Sequence, residues 1–279
     1  MRTWFITGTS RGFGIRIARE ALSRGDAVVA TARNPADVTK WLGENDRLLA
    51  VKLDVTNEAE AHEAVGQAIR KFGRIDILVN NAGYGLLGAV EEASDEETRQ
   101  LYATNVFGLL NVTRAVLPHM RRQRSGHVIN ISSVGGYTGY PGWGVYGSTK
   151  FAVEGISEAM GGELAHLGIH VTVVEPGFFR TDFLDDRSLK RTGLQIDDYA
   201  DSVGKTRGHA DSANHAQRGD PAKLATAIMA LVDAPKPPTR LPLGSDTVER
   251  IEHKHAFVER ELADWRKVAV STDWIEARA

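Results

Sequence analysis

Tyr146 and Lys150 stand four residues apart in Tyr146-Gly147-Ser148-Thr149-Lys150, and Ser133 lies thirteen residues upstream. A phenol, an ammonium and a hydroxyl are the parts that protonate an oxygen while a bond forms at the carbon beside it. Residues at i and i+4 of a helix share a face, roughly 6 Å apart along the axis at about 1.5 Å per residue. At that separation the Lys150 cation is expected to lower the Tyr146 pKa from its usual value of about 10 toward the working range of an acid or base. The chain also opens with Thr7-Gly8-Thr9-Ser10-Arg11-Gly12-Phe13-Gly14, directly after the apolar run Trp4-Phe5-Ile6. Glycines there remove the Cβ atoms that block a close approach, so backbone N–H groups and the positive end of a following helix can face a pyrophosphate. The two motifs together point to a hydride and a proton moved in one site.

Such a site needs elements to hold it, and the apolar runs supply them. Trp4-Phe5-Ile6, Ala27-Val28-Val29-Ala30, Leu48-Leu49-Ala50-Val51, Ile75-Asp76-Ile77-Leu78-Val79, Val128-Ile129-Asn130-Ile131 and His170-Val171-Thr172-Val173-Val174 alternate with segments of helical period. Runs of this kind between helices are what a parallel sheet covered on both faces requires. The expectation is a doubly wound α/β fold, with residues 1–279 as one domain. In the first helix Gly14, Ile17, Ala18, Ala21 and Leu22 share a face, Arg16, Arg19, Glu20 and Arg24 point away, and Gly25 ends it. From about 178 to 219 the regularity fails among Phe178, Phe179, Phe183, Tyr199 and three glycines, which marks a mobile flap over the substrate. A helix resumes at Pro221 and runs through Ala225, Ile228, Met229 and Val232, and Arg240-Leu241-Pro242-Leu243 reads as an edge strand.

Composition excludes several classes. The 279 residues are 42% hydrophobic and 25% charged, with a net charge of -2 and no cysteine. There is no basic footprint for nucleic acid or an anionic membrane surface, and no thiol for a disulfide or a cysteine metal site. No apolar run approaches a membrane span or a signal core, so a cytosolic protein with a small-molecule partner is expected. His119, His127, His166 and His170 show no metal-ligand spacing and read as surface or packing residues. Met120-Arg121-Arg122-Gln123-Arg124 reads as a helix C-terminus, and Glu91-Glu92 with Asp95-Glu96-Glu97 as the acidic first turn of a helix capped near Ser94 or Asp95. The second strand ends in Thr31-Ala32-Arg33. An acid at that place bonds a ribose 2′-hydroxyl, whereas an arginine accommodates a 2′-phosphate. Arg33, with Arg11 in the glycine loop, favours NADP over NAD.

With these residues in hand, the chain resembles the short-chain dehydrogenase/reductase family over nearly its full length. The ordered matches are Thr7-Gly8-x3-Gly12-x-Gly14, Asn80-Asn81-Ala82-Gly83, Asn105, Ser133, Tyr146-x3-Lys150 and Pro176-Gly177. The resemblance implies a Rossmann-type domain with a seven-stranded parallel sheet and a catalytic group of Asn105, Ser133, Tyr146 and Lys150. It implies a cofactor site drawn from Gly8, Ser10, Arg11, Gly12, Phe13, Gly14, Ile15 and Arg33, with Asp54 and Val55 at the adenine and Asn81, Ala82 and Gly83 along the dinucleotide. Pro176, Gly177, Phe179 and Thr181 would lie near the nicotinamide, with Tyr146 and Lys150 beside its ribose.

Asn105, a poor helix former inside a predicted helix, fits a local irregularity that holds a proton-relaying water to Lys150. Ser133, at the end of a strand, fits a hydroxyl projecting where open α/β sheets bind ligands. Ser132 reads as a turn or cap residue. The resemblance implies an NADP-dependent interconversion of a carbonyl and a secondary alcohol. A redox-sensing regulator that only binds NADP stands as the rival, and a nucleotide-sugar epimerase is disfavoured by the glycine spacing and by Arg33. Side chains near Tyr137, Tyr140 and Trp143 indicate a hydrophobic substrate. The glycine loop is similar to the branch that includes estradiol and retinol dehydrogenases, and a homodimer or homotetramer is expected through the helix of Tyr146 and Lys150.

Overall fold

A computed structural model describes residues 1–274. The strands are β1 (Thr3–Thr7), β2 (Ala27–Ala32), β3 (Leu48–Lys52), β4 (Ile77–Asn80), β5 (Gly85–Leu87), β6 (Gly126–Ile131), β7 (Ile169–Pro176), β8 (Leu189–Arg191) and β9 (Arg240–Leu243). The helices are α1 (Gly12–Ser23), α2 (Ala36–Leu42), α3 (Glu58–Phe72), α4 (Asp95–Tyr102), α5 (Leu109–Gln123), α6 (Gly144–Leu164), α7 (Lys205–Ala213), α8 (Pro221–Asp233) and α9 (Ser245–Val270). Seven strands form one parallel sheet in the order β3-β2-β1-β4-β6-β7-β9. The chain moves outward from β1 through β2 to β3, then restarts on the other side of β1 with β4. That reversal opens a crevice at the carboxyl ends of β1 and β4, the place where such sheets take ligands.

Alternation along each strand builds two cores. Trp4 and Ile6 face one side with Val28, Ala30, Ile129 and Val174, where Ile17, Ala18 and Ala21 of α1 and Leu224, Ile228 and Met229 of α8 cover them. Phe5 faces the other side with Val29, Leu78 and Val128, beneath Ala64 and Ala68 of α3, Val112 and Val116 of α5 and Met160 of α6. Burying each large side chain contributes about 1.5–3 kcal/mol, so the central strands hold the crevice rigidly. All seven expected strands are present, and Pro242 sits on the edge strand β9 opposite Glu175, where its missing N–H costs no ladder bond. Gly25 leaves α1 with a positive φ of 86°. Among the described residues no helix is long and apolar enough to cross a membrane.

The 178–219 segment differs from the irregular flap anticipated. Its ends are paired, since Arg180 N donates to Gly219 O at 2.8 Å and Gly219 N donates to Phe178 O at 2.9 Å. Between them β8 pairs in parallel with β5, with Gly85 opposite Leu189, and short helical turns lead into α7. The second sheet was illegible because two three-residue strands, one led by glycine, carry no period of their own. Glu92, anticipated in the acidic first turn of a helix, lies ahead of α4 instead, which begins at Asp95 behind a Ser94–Glu97 capping box. It is 2% exposed, pairs with Arg207 of α7 and accepts from Ile196 N at 2.8 Å. A buried pair of this kind anchors the segment to the main body.

Gly14 is where the glycine loop and α1 come closest. A Cβ there would stand 2.4 Å from Gly8 O and 2.7 Å from the Asn81 amide nitrogen. Backbone on one side and a bonded side chain on the other leave no room to yield. Gly14→Ala is expected to cost about 1–3 kcal/mol through overpacking. Urea unfolding followed by tryptophan fluorescence checks this; an unchanged midpoint contradicts it.

Candidate active site

The crevice widens into a cavity of about 1330 Å³ whose wall includes the glycine loop, the end of β2, the ends of β4, β6 and β7, the start of α6 and the 178–219 segment. Ser133 follows β6 in extended backbone, and its Oγ accepts from Gly135 N at 3.1 Å, which fixes the hydroxyl at the strand end. Tyr146 and Lys150 occupy successive turns of the buried face of α6, each 7% exposed. Lys150 Nζ donates to Ile131 O at 2.9 Å and stands 5.8 Å from the centre of the Tyr146 ring. Trp143 and Phe183 flank that ring at 5.6 and 5.7 Å between centroids. The phenol, the ammonium and the hydroxyl therefore reach one cavity together.

Their electrostatics differ from the expectation at one point. Burial pushes the Tyr146 phenol up to about 12, and the Ser133 hydroxyl beside it opposes that rise. Burial also lowers Lys150 to about 8, against the attraction of Glu154 one turn on. The lysine was expected to draw the tyrosine down. For these buried side chains desolvation, which disfavours the charged form of either group, is the dominant effect.

The anticipated cofactor residues divide in two. Gly8, Ser10, Arg11, Gly12, Phe13, Arg33, Asp54, Val55, Asn81, Ala82, Gly83, Pro176, Gly177, Phe179 and Thr181 line the cavity. Gly14 and Ile15 do not; they lie behind it as the first turn of α1, packed inward. Asn81 serves the loop itself, since its amide donates to Thr7 O at 2.9 Å and Gly8 O at 3.0 Å. Arg11 donates to Ser188 Oγ at 3.0 Å and Arg187 O at 2.7 Å, strapping the loop to the 178–219 segment. Asp54 spends one oxygen on the N–H and hydroxyl of Thr56. Phe13 packs edge-on against Phe179 at 5.5 Å.

Asn105 does not line the cavity either. It sits in a π-helical turn, Ala103–Gly108, between α4 and α5, so the irregularity anticipated there is present. Its Oδ1 accepts from Tyr84 N at 3.1 Å, and its Nδ2 donates to Tyr84 O at 2.9 Å and Thr149 Oγ1 at 3.1 Å. It thus binds the loop after β4 to α6, and a Cβ on Gly83 would meet both Asn105 Oδ1 at 3.1 Å and Lys150 Nζ at 3.7 Å. Of the three substrate-side aromatics, Tyr140 and Trp143 line the cavity, whereas Tyr137 turns away to His255 of α9. His127, expected as packing, is buried against Thr172 Oγ1 at 2.9 Å.

The cavity fits a dinucleotide on two observations. The first turn of α1 has no side-chain cap and no acidic residue, so its free N–H groups and positive dipole end are available to a phosphate at the cavity wall. Gly12 has φ of 61° and open space where a Cβ would stand.

Behind α6 lies a cluster that sequence spacing did not reveal. Glu154 is 5% exposed and Glu175 0%, and both share the guanidinium of Arg240 on β9, which also reaches Glu158 at 2.7 Å. Burial lifts Glu154 to about 7, with Glu175 beside it adding to the rise, and burial lifts Glu175 as well. Only the i, i+4 step from Lys150 to Glu154 was visible locally; Arg240 lies far along the chain.

Comparison with known proteins agrees with the geometry. The sequence pattern of the short chain dehydrogenase family matches residues 2–192. A 3-ketodihydrosphingosine reductase from Bacteroides thetaiotaomicron is 42% identical over 239 residues, covering 86% of each chain. A short-chain dehydrogenase from Streptomyces avermitilis superposes with a TM-score of 0.91 at 40% identity, covering 98% of this chain and 100% of its own. A serine dehydrogenase complexed with NADP+ superposes with a TM-score of 0.72 at 30% identity, over 86% of this chain and 94% of its own.

The acidic cluster behind α6 makes stability depend on pH. Glu154 holds its proton more tightly folded than at its ordinary value of 4.5, so stability falls as pH rises toward and through about 7. Arg240→Met removes the cation that tolerates the charged form, and breaking such a pair costs about 3 kcal/mol. The loss should be greater at pH 8 than at pH 5.5 in urea unfolding; equal losses would show that the carboxyls do not depend on Arg240.

Proposed function

The chain belongs to the short-chain dehydrogenase family, and on that premise we propose that it is an NADP-dependent oxidoreductase that interconverts a carbonyl and a secondary alcohol. The observation that carries the reading is the convergence of Ser133, Tyr146 and Lys150 on the cavity that the uncapped end of α1 also faces. A nicotinamide dinucleotide held by the glycine loop, Asp54, Val55 and Asn81–Gly83 supplies the hydride when bound. The protein's own groups handle the proton. Tyr146 Oη, protonated throughout the neutral range, gives its proton to the carbonyl oxygen in reduction and takes it back in oxidation. Ser133 Oγ hydrogen-bonds that oxygen and orients it where negative charge develops. Lys150, with an ordinary value lowered to about 8, is still mainly cationic at neutral pH and offers its charge to the phenolate left behind. Asn105 positions Tyr84 and α6 rather than touching the reacting atoms.

Arg33 supports NADP. It follows β2 at the cavity wall, β2 carries no carboxylate, and it makes no ion pair among the described residues. NAD remains the less favoured cofactor. Trp143, Phe183 and Leu184 support a ketone or alcohol with an apolar portion. Exposed Phe107 and Phe151, on the turn before α5 and on α6, support a homodimer or homotetramer through that face. A regulator that only senses bound NADP has no use for Tyr146 in this cavity; reduction of any ketone with consumption of NADPH distinguishes the two.

Tyr146→Phe keeps the ring against Trp143 and removes the proton donor. Turnover of a reducible ketone should fall at least about 100-fold with cofactor binding retained; activity within threefold of the parent refutes the assignment. In steady-state kinetics NADPH should exceed NADH in kcat/KM by about tenfold or more, as expected for a charge-assisted phosphate contact, and Arg33→Ala should erase most of that margin. Preference for NADH would overturn the reading of Arg33.

A further inference from the structure

We propose that Arg250, with Tyr140, Phe178 and His209, forms an outer subsite that binds a carboxylate at the far end of the substrate from its carbonyl. The proposal rests on the oxidoreductase reading and narrows the substrate to a keto acid whose two polar ends are separated by an apolar spacer. The four residues line the same cavity as Tyr146 and come from four separate places: the loop before α6, the loop after β7, α7 and α9. The Arg250 guanidinium stacks on the Tyr140 ring, 4.6 Å from its centre, and His209 meets the Phe178 ring edge-on at 6.3 Å. Two of them lie beyond residue 192, outside the part of the chain that the family pattern matches.

The charge on Arg250 has no counterpart. Asp246, one turn earlier on α9, is the acid in reach by sequence, but its Oδ2 accepts from Phe178 N at 2.9 Å and no ion pair to Arg250 forms. Other cations on the wall are engaged. Arg191 pairs with Asp186 and Asp211, and Lys205 with Asp201. Lys190 donates to Asp186 O, and Arg11 to Arg187 O. Arg33 and Arg187 lie beside Arg11 at the dinucleotide end. Arg250 is therefore a guanidinium of the cavity wall with no carboxylate partner among the described residues.

A second observation concerns the ring on which Arg250 stacks. The Tyr140 hydroxyl is buried with no hydrogen bond of good geometry, Arg250 being its polar neighbour. A buried polar atom without a partner requires an explanation, and a ligand supplies one. Burial raises this phenol above its ordinary value, so it stays a donor at neutral pH. A carboxylate accepts from a hydroxyl and from the planar fork of an arginine at once with charge assistance, which a neutral ester lacks and an ammonium opposes. Trp143 lies one turn from Tyr140 and touches Tyr146, so the wall between the two ends is aromatic and suits a spacer of methylene or aryl groups.

The test measures kcat/KM with NADPH for a series of aryl- and alkyl-spaced keto acids and their methyl esters. The parent enzyme should prefer an acid of matching length over its ester by tenfold or more, mainly through KM. Arg250→Leu should bring that ratio to near one, Arg250→Lys should keep part of it, and Tyr140→Phe should lower it about threefold. A parent ratio near one at every length, or a ratio that Arg250→Leu leaves unchanged, overturns the proposal. If no ketone is reduced with either nicotinamide cofactor, the oxidoreductase reading fails instead. The subsite is then judged by quenching of tryptophan fluorescence with unreactive aryl-alkyl carboxylates: saturable binding lost in Arg250→Leu supports it, and binding retained in that variant refutes it.

Discussion

The hydrogen bond from Lys150 Nζ to Ile131 O, 2.9 Å long, ties the helix that carries the phenol to the last residue of the strand that carries the hydroxyl. Together with Asn130 Nδ2 donating to Ser157 Oγ at 2.8 Å and Asn105 Nδ2 to Thr149 Oγ1 at 3.1 Å, that tie sets the height of α6 along the sheet and so the separation of Tyr146 and Ser133. An ammonium 7% exposed is costly to keep charged, and one carbonyl compensates only part of the lost hydration. Glu154, one helical turn on, attracts the same cation and offsets some of the remainder, while burial still prevails.

The acidic cluster and the site therefore belong to one electrostatic unit. Glu154 and Glu175 are both raised, and the single guanidinium of Arg240 is shared between them and Glu158. One unpaired oxygen on each buried carboxyl fits a proton held between them. The edge strand β9 is thus more than a cover for β7, because it delivers the cation without which two carboxyls could not lie beneath the active helix. Tyr137 joins the same corner, with Arg240 5.7 Å from its ring and its hydroxyl on His255.

How much of this was legible follows from how local each signal is. The strands of the main sheet were readable because β-branched apolar runs are local, and α1, α8 and the edge strand because caps, prolines and glycines are local too. Tyr146 and Lys150 were readable from spacing and Ser133 from the family resemblance, and the irregular turn at Asn105 from a polar residue in a helical stretch. Long-range pairing was not. Arg240 meets Glu154 across 86 positions, and Arg207 meets Glu92 across 115. The direction of the Tyr146 shift was misread for a related reason: the attraction of a nearby lysine can be seen in a sequence, whereas the amount of protein that will displace water cannot.

Because Phe179 and Gly219 are bridged to each other, the residues between them leave and re-enter the fold at almost one point. A closed insertion of that kind transmits little of its own length to the framework, and doubling it costs only about 0.6 kcal/mol of closure entropy. Much of the chamber's outer wall, Phe183, Leu184, Thr206 and His209 among it, thus hangs on one closed insertion that β5, Glu92 and Arg11 fasten to the framework. Its length can vary at small entropic cost only where those fastenings are kept.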